Sequence, residues 1–174
     1  MKKKHRKRII FLVPLIFIII TTLVFIPFKQ ALVFKYQNTE KVLAYIPLNK
    51  EQTFKIKYTH SIHLSDVIES YQIKEDGNIQ QYELMFEDFA IGMPSGANEG
   101  EVFEEKDGKY YLKNMNNVFP HFDLRIGQVK ANHTIIFKEK EFPLTSYIEP
   151  GTWVRIKVEK LSFLQQLKGV NIIE

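Results

Sequence analysis

The chain has no cysteine. That excludes a disulfide framework, a thiolate metal site and a cysteine nucleophile. It also has no internal repeat, no low-complexity tract and no Pro/Gly-rich linker. No Gly-x-Ser-x-Gly elbow appears, and no glycine-rich loop ends in Gly-Lys-Ser/Thr, so the local signatures of serine hydrolases and phosphate loops are missing. Acidic residues are absent ahead of the first apolar run, where six basic ones stand: Lys2, Lys3, Lys4, Arg6, Lys7 and Arg8. The net charge of +4 over 174 residues is therefore local. With those six set aside, 18 basic residues face 20 acidic ones and the remainder carries −2. A near-neutral bulk argues against nucleic-acid binding.

Charge is also missing from residues 9–28, IIFLVPLIFIIITTLVFIPF. A helix of that length spans roughly 30 Å, the thickness of a bilayer core. Lys/Arg flanks stay on the cytoplasmic side, so the pattern predicts a cytoplasmic tail (1–8), a transmembrane anchor (9–28) and an extracytoplasmic domain (29–174) in the cell membrane. Pro14 sits mid-span, where it can kink the helix. A cleaved signal peptide fits less well: its apolar core is usually shorter and ends in small residues, and Phe28-Lys29-Gln30-Ala31 offers only one.

Beyond the anchor the dominant pattern is period-two alternation, the mark of half-buried strands. Phe54, Ile56 and Tyr58 alternate with Thr53, Lys55 and Lys57. Tyr82, Leu84 and Phe86 alternate with Gln81, Glu83 and Met85, and similar runs occupy 122–126 and 154–159. Shorter candidates lie at 32–36, 42–46, 67–73, 110–112, 133–137 and 144–148. Asp76-Gly77-Asn78, Asp107-Gly108 and Pro150-Gly151 supply turns between them. About ten short strands with little helix predict an all-β fold, an antiparallel sandwich or open barrel. One short helix is expected near the C-terminus, with Leu161, Leu164 and Leu167 on one face and Gly169 after its end. It either plugs the end of the fold or lies on the membrane.

Residues 52–74 carry the most informative chemistry. Phe54, Ile56, Tyr58, His60 and Ile62 share one face of the outgoing strand; Val67, Glu69, Tyr71 and Ile73 share one face of the return. Folding about Leu64-Ser65 pairs Tyr58 with Tyr71, Ile62 with Val67 and His60 with Glu69. A longer loop over Leu64-Ser65-Asp66-Val67 sets His60 opposite Tyr71 instead. Cross-strand partners sit about 5 Å apart at Cβ, close enough for a His–carboxylate hydrogen bond on the inward face. Such a pair either fixes register as a satisfied polar contact or floors a ligand pocket. Ser61 beside His60 resembles a nucleophile with its base, but adjacent strand residues point to opposite faces. His63 shares a metal with His60 only if the chain bulges near Ile62. Asp88 continues the inward parity of Tyr82, Leu84 and Phe86 and would approach the same region. No metal and no cofactor is expected.

The second signal is Phe89-Ala90-Ile91-Gly92-Met93-Pro94-Ser95-Gly96-Ala97, which follows a clear strand. Gly92 and Gly96 permit close backbone approach, and Pro94 stiffens the turn. The segment is either a tight corner between sheets or a rim over a pocket, with Gly92, Met93 and Pro94 as ligand-binding candidates beside His60, Ser61, Glu69 and Asp88.

Tyr58-Thr59-His60-Ser61, then Glu69, then Phe86-Glu87-Asp88-Phe89-Ala90-Ile91-Gly92-Met93-Pro94-Ser95 together resemble a small bacterial family, the domain of unknown function numbered eighteen-fifty. The resemblance covers most of residues 40–160. It implies a short N-terminal membrane segment and genes that often sit beside TAXI-type TRAP transporters, importers of organic acids. Where the family has small residues before the Gly-Met-Pro turn, this chain has the bulkier Ile91. The leading expectation is a membrane-anchored, non-catalytic accessory or binding module holding TRAP transporter components or a small ligand. The alternatives are a hydrolase-like enzyme using His60 and Glu69 as base and orienter, and a structural envelope protein.

Overall fold

Alternating side chains commit most of the chain to strands. The structure, a computed structural model, describes residues 14, 16–19, 21–49, 52–89, 92–128 and 131–174. In chain order the strands are β1 (Lys29–Tyr36), β2 (Val42–Pro47), β3 (Thr53–Thr59), β4 (Asp66–Ile73), β5 (Ile79–Phe86), β6 (Val102–Lys106), β7 (Lys109–Phe119), β8 (Phe122–Arg125), β9 (Thr134–Phe137), β10 (Lys140–Pro143) and β11 (Trp153–Leu161). A short helix α1 (Phe163–Lys168) and β12 (Val170–Asn171) close the chain.

The smaller sheet has the order β12-β2-β1-β11-β8, and the larger one β10-β9-β3-β4-β5-β7-β6. Pairing is antiparallel apart from β12 along β2. One core fills the space between the sheets: Leu32, Phe34, Ile46, Val154 and Ile156 from the smaller meet Phe54, Ile56, Ile73, Ile135 and Phe137 from the larger. Each contributes alternate residues, as a two-layer sandwich requires.

Two expectations are corrected. Residues 144–148 are not a strand: Leu144–Ser146 form a 3-10 turn. Tyr147 and Ile148 both donate to the Leu144 carbonyl (3.1 and 2.9 Å). Leu144 and Ile148 are both buried; four apart, they share a helical face rather than a strand face. At the C-terminus, Leu161 is the buried last residue of β11 rather than part of the helix, and Leu167 is exposed. The helix starts two residues later because Ser162 caps it. Its hydroxyl accepts from the Gln165 N–H (3.3 Å), while the Gln165 side chain accepts from the Ser162 N–H (2.9 Å).

The ends of the sandwich are distinguishable. Leu48 N–H donates to the Gln30 carbonyl (2.9 Å) and Ile73 N–H to the Gln52 carbonyl (2.6 Å). The start of β1, the ends of β2 and β4 and the start of β3 therefore lie together. The segments after β3 (60–65) and after β5 (87–89 and 92–101) lie at the opposite end, because Thr59 pairs with Asp66 and Val67 with Phe86. Ahead of β1, residues 16–19 and 21–25 are helical, with Phe17, Leu23 and Phe25 exposed. Among the described residues no helix is long and apolar enough to cross a membrane. Residues 1–13, 15 and 20, which hold the basic tail and part of the expected span, lie outside the described residues.

Candidate functional site

The β3–β4 hairpin is built, but in a different register from the one expected. Phe54 pairs with Tyr71, Ile56 with Glu69 and Tyr58 with Val67. β3 stops at Thr59, and 60–65 form a loop closed by His60 N–H to the Ser65 carbonyl (2.8 Å) and Leu64 N–H to the His60 carbonyl (3.0 Å). His60 is thus a loop residue and is not opposite Glu69 or Tyr71. The alternative pairing shares this error, because both assumed that the strand runs on to Ile62. Moving the register by an even number of residues keeps every side chain on its face, so Glu69 still points inward while its partners change.

What Glu69 meets is Tyr71. The Tyr71 hydroxyl donates to Glu69 Oε2 (2.6 Å). The ring is stacked between Phe54 and Phe122, with centroids 5.1 Å from each. Among the described residues Glu69 has no ion-pair partner. Burial pushes its carboxyl above the ordinary range, and the bond from Tyr71 offsets part of that rise. The same burial, with the neighbouring carboxylate, raises the Tyr71 phenol. It raises the Tyr58 phenol to about 12. Tyr58 in turn faces His133, ring centroids 5.5 Å apart. His133 Nδ1 accepts from the Gly127 N–H (3.1 Å). Burial lowers the His133 pKa, favouring the neutral ring that this bond needs. Tyr58, Glu69, Tyr71 and His133 form a polar seam below the 60–65 loop.

The seam borders a second apolar cluster. Val67, Leu84, Phe86, Leu112 and Met115 pack together with Tyr58, Met93, Phe103 and Tyr110 around them. This cluster contains no residue of the smaller sheet; the Gly-Met-Pro turn covers it instead, through Met93. Gly92 has φ of +95°, a conformation that side chains resist, which explains glycine there. Pro94 is half-buried, while Gly92 and Asp88 are exposed. Asp88 does not continue the inward parity of β5, because the strand ends at Phe86 and the chain bends at Glu87. Phe89 is exposed but leans on Tyr110, centroids 4.3 Å apart. Ala90 and Ile91 lie outside the described residues.

Antiparallel pairing therefore brings His60, Ser61, Asp88, Gly92, Met93 and Pro94 to one rim of the larger sheet, with Glu69 three residues into β4 beneath it. Ser61 is exposed on the turn. The rings of His60 and His63 are 6.0 Å apart, because the chain turns rather than continuing extended. Among the described residues no three His, Asp or Glu side chains gather as a metal site. Ile62 and Leu64 are exposed at the loop tip. Leu64 holds φ of +58°, an unusual conformation for a bulky residue.

A model of the family described as a domain of unknown function, DUF1850, matches residues 54–144, just over half of the chain. The chain belongs to DUF1850. No curated protein and no solved structure matches it. The DUF1850 match begins in β3 and ends at the turn after β10, so it contains the larger sheet apart from Thr53, the rim and the seam. Sequence reasoning found Glu69 but read Tyr58 and Tyr71 as a simple aromatic pair. The available signal was Glu69 and Tyr71 two apart on one inward face. His133 arrives from a distant loop and gives no local signal.

Proposed function

We propose that this DUF1850 protein is a membrane-tethered, extracytoplasmic binding module whose rim, at the end away from the tether, docks a protein component of a TRAP-type transporter. The observation that carries the reading is the set of exposed apolar side chains on that rim, Ile62, Leu64 and Phe89. They stand on short segments anchored to a rigid sheet, an arrangement suited to presenting contact residues. His60 lies in the 60–65 loop and Glu69 pairs with Ile56, so the cross-strand contact on which a hydrolase reading rested lends it no support.

The test is co-purification from native membranes. Ile62→Asp with Leu64→Asp, both exposed at the loop tip, should lower recovery of the transporter component about tenfold while leaving the thermal midpoint near native. Val118→Asp, exposed on β7 near the opposite end, should retain it. Absence of any transporter component with the native chain, or equal recovery with the rim variant, overturns the proposal. A second reading, a structural envelope protein, is favoured by the Tyr71–Glu69 bond acting as a core fixture. On that reading, rim variants change nothing beyond stability.

A further inference from the structure

The chain after β11 carries its own exposed apolar surface along the flank of the smaller sheet: it leaves the tether end at Leu161, passes Gly169 against Val42 and Tyr45, and pairs Val170 with Ala44. Phe163 is 49% exposed, Leu167 67%, Val170 46% and Ile173 37%. Phe163 and Leu167, four apart on α1, share a face. The segment is held firmly from below. Ile172 is buried, its N–H donating to the Tyr45 carbonyl (3.0 Å), and Ser162 caps the helix. The apolar residues are therefore not exposed by looseness.

The tether reaches this surface directly. Phe28 N–H donates to the Leu161 carbonyl (3.1 Å), and Lys29 pairs with Leu161, two residues before α1. Only residues 26–28 separate the helical 21–25 from β1. Three extended residues span about 10 Å, so a bilayer that holds the tether lies within reach of the start of α1, beside Leu161. Charge supports the same occupant. Lys160 and Lys168 are exposed beside the apolar residues, with Lys41 and Glu40 near Lys168 and Glu174 in the closing segment, three basic residues against two acidic ones. The larger sheet presents exposed Glu75 and Asp76 at its corresponding end. Anionic headgroups attract the first side and repel the second.

We propose that residues 163–173 seat on the bilayer surface, with Phe163, Leu167, Val170 and Ile173 in the interface and Lys160 and Lys168 among anionic phospholipid headgroups. The contact rests on the tether reading. It fixes the domain's tilt, with the flank of the smaller sheet against the membrane and the larger sheet held away from it, rather than leaving the domain to swing about residues 26–28.

The test uses the full chain in vesicles of anionic phospholipid with chain-brominated lipid as quencher. Trp153 is the sole tryptophan. It lies at the far end of β11 from α1. In a Trp153→Phe background, Phe163→Trp should lose about half or more of its emission to the quencher, whereas native Trp153 should lose little. Leu167→Trp gives the same reading should the first variant fail to fold. A chain that floats with the vesicles but keeps full emission at both positions overturns the seating alone. A chain that does not float with them overturns the tether, and the seating with it.

Discussion

The inner face of the larger sheet is covered in two ways. Over β9, β3 and β4 it packs against a second sheet, and the side chains there are almost wholly buried. Over β5, β7 and β6 it packs against its own edge and the Gly-Met-Pro turn. A sheet is a stiff lid, and the cavity left by a lost side chain beneath it closes only partly. A turn can settle into the gap. The same burial should therefore be worth more stability in the first region than in the second, and conformational adjustment should concentrate in the second.

The comparison is broken or upheld by truncating one aliphatic side chain in each region. Ile156→Ala, between the sheets, should cost about 4 kcal/mol, towards the upper end for such a change. Leu112→Ala, under the turn, should cost nearer 2 kcal/mol because its cover can collapse. Both residues are at most 2% exposed, so burial alone does not separate them. Denaturant midpoints at unchanged slope give the two values. Equal losses would mean that the turn is as rigid a cover as the sheet.

Met93→Ala asks the question from the side of the cover. Met93 is half-buried against the second cluster, so its truncation should cost only about 1 kcal/mol. It should nevertheless raise amide exchange in β5 and β7 well above that in β1 and β11. Uniform exchange throughout the sandwich would show the turn to be irrelevant to local stability.

Strand content and most of the facing were legible in the sequence because alternation encodes them directly; β5 departs from it, since a bulge between Gln81 and Glu83 takes Tyr82 out of line with the buried Leu84 and Phe86. Glu69 was placed inward correctly from parity alone. Register was not legible, because parity survives any even shift: Ile56 opposite Ile73 and Ile56 opposite Glu69 both keep apolar residues inside. The loop length decided it, and nothing between Thr59 and Asp66 announces a six-residue loop. β12 was invisible because two residues carry no periodicity. The Tyr58–His133 contact joins residues far apart in the chain, brought together by the crossing from β8 to β9. That kind of neighbour has no local trace.

The seam between the two regions yields the finest test, since its carboxyl and its imidazole act in opposite directions. Burial raises the folded-state pKa of Glu69 above its ordinary 4.5. Its favourable contribution is therefore fully present below about 4.5 and is lost as pH rises through the raised value. Burial lowers the folded-state pKa of His133 below its ordinary 6.5. Its contribution is fully present above about 6.5 and is lost as pH falls through the lowered value. Glu69→Gln keeps an acceptor for the Tyr71 hydroxyl without the charge. It should melt above the native chain at pH 8 and lose that advantage by pH 4. His133→Asn keeps an acceptor for the Gly127 N–H and should flatten the acid side instead, gaining on the native chain only as pH falls below about 6.5. Thermal midpoints between pH 4 and pH 8 read both. Parallel curves for native chain and variants would mean that the seam is open to water, and that the boundary between the stiffly covered core and the loosely covered one is itself a solvent-filled cleft.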